Sequence, residues 1–245
     1  CVMITVVSAF IPIPDHPRSE LEYDTLGKKL LGIEHRVMFA KGDVQHCWLH
    51  EHLETEYGLD TSRFSYSIAD NPRKNSLSYH IIQAQKTEWL EIALYVDPFA
   101  DVFVWIDYGI FHVPGVTAEI IDAFLDRAES EQAIAIPGCW QKGQYPYDDN
   151  WPHWRFCGGV MVVPRRFVSA FNFAMKLEYK RWLKETGNIS WEVNTLTRLE
   201  RRDPEFPVWH YFADHDKTLF TNYRATESAD ENCHISRSRI ESTRC

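Results

Sequence analysis

No stretch of this 245-residue sequence approaches the ~18 consecutive apolar residues that a membrane-spanning helix needs. Positive charge is in short supply: 26 Lys and Arg face 35 Asp and Glu, a formal net charge of −9. That balance argues against a chain built to neutralise nucleic-acid phosphates or to lie on an anionic membrane. The six cysteines form no CxxC pair, which disfavours a zinc ribbon or a thioredoxin-like motif. They are also too few for a disulfide scaffold of this length, so a reduced, cytoplasmic chain is the expectation. No basic-then-apolar signal segment precedes the first apolar run, and Cys1 in place of Met suggests an excised or processed chain. GxGxxG after the first strand, GxxxxGK[ST], GxSxG and HExxH are all missing. Classical dinucleotide, P-loop, α/β-hydrolase and zincin chemistries are disfavoured with them.

What is present is ordinary globular composition, 44% hydrophobic and 25% charged, with an excess of aromatics that includes 9 Trp. Ile4 to Phe10 reads as a buried strand, ended by the prolines of Ile11-Pro12-Ile13-Pro14. Helices are predicted over Ser19–Ile33, Cys47–Tyr57, Ser76–Val96, Thr117–Ala128, Arg165–Thr186 and Trp191–Arg202. Strands are predicted over Arg36–Ala40, Phe64–Ile68, Val102–Tyr108, Ala133–Ile136, Gly158–Val163 and Phe206–Phe212. Strand and helix alternate through the first half, which predicts one α/β domain with a mixed, mostly parallel central sheet flanked by helices. That domain is expected over residues 1–223, with a polar C-terminal tail over 224–245. Between Pro137 and Phe156 lies a long segment rich in Gly, Pro, Trp, Tyr and Asp, and loops of that length are usually functional.

Four stretches carry candidate chemistry. Val102 to Ile106 is fully apolar and ends in Asp107, followed by Tyr108 and Gly109. An ionised carboxylate closing such a strand must leave the core or meet a cation. Ligands of open α/β sheets bind at the carboxyl ends of strands, so Asp107 is expected to face a cleft. Gly158 and Gly159 open a strand, where paired glycines let another group approach the backbone. Ser190-Trp191-Glu192-Val193-Asn194 starts a helix with an acid in its first turn, a position the helix dipole favours in any case. His210 precedes the turn Ala213-Asp214-His215-Asp216, whose side chains suit a metal as readily as a plain turn. His46 and His50 have a zinc-compatible spacing, but they read better as a solvated helix face.

Taken together and in this order, the stretches resemble a GT-A fold glycosyltransferase. Within that fold they are similar to the HtrL/YibB-like group of bacterial glycosyltransferases. It rests on Val7-Ser8-Ala9-Phe10, on Asp97-Pro98-Phe99 before Val104-Trp105-Ile106-Asp107-Tyr108-Gly109-Ile110, and on Ala213-Asp214-His215 followed by Asn222-Tyr223. The resemblance implies transfer of a sugar from a nucleotide-sugar donor to a saccharide or glycoconjugate acceptor, as in polysaccharide biosynthesis. It implies that Ala9, Phe10, Asp107, Tyr108 and Gly109 meet the donor, and that Glu192, Asp148 and Asp149 are the candidate catalytic carboxylates. Trp151, Trp154, Gly158, Gly159 and Trp191 are expected on the acceptor side, with Trp140, Tyr145 and Tyr147 available for stacking. One departure stands out: the family's Asp-x-Asp is Asp107-Tyr108-Gly109 here. A divalent Mn or Mg ion would therefore need Asp107 with His210, His215 or Asp214. Without it, Arg73 and Lys74 would have to neutralise the diphosphate. Two rival readings are a carbohydrate-binding or assembly protein that has lost catalysis, and a metal-dependent hydrolase using Asp107, Asp214 and His215.

Overall fold

The structure is a computed structural model and describes residues 2–13, 19–60, 65–66, 76–143 and 151–225. Its frame is a six-stranded sheet in the order β2-β1-β4-β6-β5-β8. The strands are β1 (Ile4–Ala9), β2 (Arg36–Ala40), β4 (Val102–Ile106), β5 (Ile134–Gly138), β6 (Val160–Pro164) and β8 (Val208–Phe212). β1 runs parallel to β2 and β4, and β5 parallel to β8, while β6 is antiparallel to both of its neighbours. The sheet is thus mixed and mostly parallel, as expected. A small second sheet pairs β3 (Ser65–Tyr66) with β7 (Asn188–Ile189). The sequence signals only half of it, because a two-residue strand leaves no alternation to read.

Helices cover both faces. α2 (Trp48–Tyr57), α3 (Leu77–Ala84), α4 (Lys86–Val96), α6 (Val168–Thr186) and α7 (Glu192–Arg202) belong to one layer. The opposite layer contains α1 (Glu20–Lys28), α5 (Ala118–Ala128) and the short α8 (Thr218–Thr221). Helix starts follow local chemistry: Ser19 makes a reciprocal capping box with Glu22, and Ser76 and Thr117 cap α3 and α5. α2 and α6 end at Gly58 and Gly187, both left-handed, where glycine avoids the Cβ clash. Among the described residues no helix is long and apolar enough to cross a membrane.

β4 lies inside the sheet and is buried along its whole length. Its side chains alternate between the two cores. Phe103 and Trp105 enter the α2/α4/α6 side, and Val102, Val104 and Ile106 the α5 side. The strand stops at Ile106, two residues short of the predicted end, and the same alternation turns Asp107 toward the α4 layer. The predicted helix over 76–96 is two helices. At Gln85 the backbone tightens, its N–H donating to Ile82 O, while its side-chain oxygen accepts from Trp48 N. α4 therefore begins afresh at Lys86. Of the polar tail expected over 224–245, only Arg224 and Ala225 lie within the described residues.

Phe103 is fully buried between sheet and helices. Phe103→Ala is expected to lower unfolding stability by about 3–5 kcal/mol through lost burial and the cavity left behind. Urea denaturation monitored by circular dichroism measures it, and a loss below about 1 kcal/mol would contradict this packing.

Candidate active site

At the carboxyl ends of β1 and β4 a cavity of about 460 Å³ opens to solvent. Its wall includes Ala9, Phe10, Tyr23, Lys86, Asp107 and Tyr108. Tyr23, Phe10 and Tyr108 form one stack, with ring centroids 5.3 and 5.2 Å apart and nearly parallel planes. The stack depends on Gly27, because a Cβ there would fall 2.0 Å from the Tyr108 ring. Tyr108 also donates its hydroxyl to Asp24, at 3.4 Å.

The centre of the site is a buried ammonium. Lys86 Nζ lies 2.9 Å from Gly158 O, 2.9 Å from Glu192 Oε1 and 3.0 Å from Asp107 Oδ1. Those three acceptors match the three protons that a lysine ammonium carries. Burial works against the charge of Lys86. The Asp107 and Glu192 carboxylates outweigh it and hold the ammonium above the ordinary lysine range. Asp107 Oδ1 accepts a second hydrogen bond from Trp105 Nε1 at 2.7 Å, and the Asp107 backbone N–H donates to Gly159 O. Trp105 is itself fixed by Trp89, whose ring stacks on it at 5.6 Å.

Three of the four stretches singled out in the sequence therefore meet at one lysine that sequence reasoning missed. A signal for it exists. Ile82, Lys86, Trp89, Leu90 and Ala93 share one stripe at helical spacing, so a charged residue sits in an apolar row. Such a lysine calls for a buried partner.

The two carboxylates differ in access. The Asp107 side chain is 38% exposed and lines the cavity, whereas that of Glu192 is 6% exposed and lies behind Lys86. Glu192 Oε2 is buried with no hydrogen-bond partner among the described residues. Gly158 is what admits Glu192: a Cβ there would fall 2.2 Å from Oε1. Gly159 faces Asp107 Oδ2 at ordinary van der Waals distance and is not required in the same way.

Other expected site residues are more scattered. Trp191 is buried, edge-on to Tyr79 and His80. Trp151 and Trp154 are partly exposed. Their segment is held by Asn194, which donates to Trp151 O and accepts from His153 N. Trp140 packs near His153. Arg73, Lys74, Tyr145, Tyr147, Asp148 and Asp149 lie outside the described residues. His210 sits on edge strand β8, its ring 3.0 Å from Gly138 O, away from the cavity wall. His215 packs against His112, which does line the cavity, and the Asp214 backbone N–H is tied to Thr218 Oγ1. Cys157 lies beside the cluster, but burial pushes its thiol up to about 11, which suits no nucleophile at neutral pH.

The donor set does not fit a divalent ion. Asp107 Oδ1 already accepts from an ammonium and an indole. Gly109 stands where a second acid would be, and His210 is on another strand. Among the described residues no group of three or more His, Cys, Asp or Glu is placed to hold a metal.

No protein-family model matches this chain, and no curated protein does. Among solved structures it is similar to the crystal structure of a glycosyltransferase involved in the glycosylation of the major capsid of PBCV-1. The two are 12% identical, with a TM-score of 0.49, over 96% of this chain and 99% of that one.

Two outcomes follow from the packing. Gly158→Ala is expected to drive Glu192 off Lys86 and to lower Tm, whereas Gly159→Ala should leave it nearly unchanged. Differential scanning calorimetry of the pair decides this. Near the cluster, burial pushes His80 down to about 4, partly offset by a backbone hydrogen bond with Ser190. The unfolded chain, with an ordinary value near 6.5, takes up this proton first as pH falls. Stability linked to His80 is complete above about pH 6.5 and lost toward pH 4, by up to about 3 kcal/mol. Urea titrations at pH 7 and pH 5 should show a smaller difference in His80→Phe than in the parent.

Proposed function

We propose that this protein is a glycosyltransferase, moving a sugar from a nucleotide-sugar donor to a saccharide or glycoconjugate acceptor. The observation that carries the reading is Asp107: an accessible carboxylate at the end of a buried central strand, on the wall of a cavity lined by aromatic rings. The motif order from Val7 to Tyr223 supports it.

The chemistry follows from the bond that breaks. As the anomeric carbon separates from the diphosphate oxygen, positive charge grows on the sugar and negative charge on the leaving group. The acceptor hydroxyl then adds to the anomeric carbon and gives up its proton. A carboxylate beside the reacting centre either takes that proton or stabilises the cationic sugar. Of the two carboxylates bound to Lys86, Asp107 is the one a ligand reaches, and the reacting role falls to it. Glu192 acts through Lys86 as a positioning residue, while Asp148 and Asp149 stay candidates for contact with the acceptor. The aromatic wall is suited to stacking on a base or a sugar face and to keeping water, the competing acceptor, away.

Asp107→Asn keeps size and most hydrogen bonding but removes the charge. Transfer from a panel of nucleotide sugars is expected to fall roughly 10²-fold or more, with the folded state retained. Thermal shift with the same panel identifies the donor nucleotide. A protein that binds sugars, shows no nucleotide response and turns over no donor would favour the carbohydrate-binding alternative.

A further inference from the structure

From the Lys86 cluster we infer that this protein carries its own cation: the Lys86 ammonium stands where a divalent metal would have to bind, so donor binding proceeds without one. The inference rests on the glycosyltransferase reading for the identity of the donor, but the occupancy of the cation position does not. A divalent ion between Asp107 and Glu192 would have to displace Nζ, which lies 3.0 and 2.9 Å from their oxygens. The ammonium has no solvent to retreat into, since the Lys86 side chain is only 4% exposed. An ion bound on the outer face of Asp107 would find one carboxylate oxygen, Oδ2, because Oδ1 already accepts from Lys86 and Trp105. One such oxygen falls short of the oxygen cage that Mg or Mn prefers.

Two further features suit a permanent, one-charge cation. Gly109 supplies no second carboxylate, so the hard oxygen cage that Mg or Mn prefers is absent. Among the described residues Lys86 is the cation that reaches both carboxylates, and Glu192 Oε2 is buried there without a partner. The cavity then offers Asp107 to ligand hydroxyls rather than to a metal.

The test uses Mn²⁺ itself as probe, on the protein without substrate. Water-proton relaxation and thermal shift are followed as Mn²⁺ is added to wild type, Asp107→Asn, Lys86→Ala and the double variant. Wild type and Asp107→Asn are expected to behave alike, with no saturable site lost on substitution. Lys86→Ala exposes the carboxylate pair and should gain Mn²⁺ binding, seen as a midpoint that rises with Mn²⁺ and falls back in the double variant. A wild-type Mn²⁺ site that Asp107→Asn removes would overturn the inference, and so would a folded Lys86→Ala protein that takes no Mn²⁺. Should Lys86→Ala not fold, Lys86→Met replaces it, and the wild-type titration decides in either case. Donor binding in EDTA is the companion measurement. Donor binding that needs added metal defeats the inference, whereas a protein that binds no nucleotide sugar under any condition defeats the function proposed above.

Discussion

An ammonium taken out of water costs several kcal/mol, and Lys86 is buried at the first position of α4. The helix dipole offers nothing there, because its amino end repels positive charge. What stabilises Lys86 is the pair of carboxylates and the Gly158 carbonyl, drawn from three separate parts of the chain. The dependence runs both ways. Without the lysine, two carboxylates would face each other at the end of the central strand.

Much of the surrounding structure is arranged to permit that contact. The break at Gln85 lets a new helix begin at Lys86, aimed at the sheet. Gly158 gives up a side chain so that Glu192 can enter. Trp105, clamped by Trp89, donates to the same Asp107 oxygen that the lysine reaches. α7 is polar in sequence yet buried from Glu192 to Leu199, and that burial is supported by local partners. Asn194 holds the segment entering at Trp151, and Arg198 donates to Thr195. Buried polar groups with partners specify one arrangement.

The site also has a clear division between access and support. Asp107 faces the cavity and the aromatic stack, while Glu192 is sealed behind the ammonium. In the sequence Glu192 stands out as an acid in the first turn of a helix, and its burial does not show there. Both carboxylates meet Lys86, and what separates them is the depth at which each lies, which no local spacing encodes.

The sequence by itself determined the alternation of strand and helix, the ends set by Ser19, Ser76, Thr117, Gly58 and Gly187, and the position of Asp107 after a wholly apolar strand. These follow from local physics: side-chain period, capping groups and the cost of a charge in a core. Tertiary structure alone decided that β6 runs against its neighbours, that β3 meets β7, and that Lys86 joins Asp107 and Glu192 across 106 residues of chain. The apolar stripe around Lys86 signals that the lysine needs a partner, but at that separation nothing periodic says which residue it is. The ion pair exists because the sheet brings strand ends together and the low-dielectric interior then makes any unpaired charge there too costly to keep.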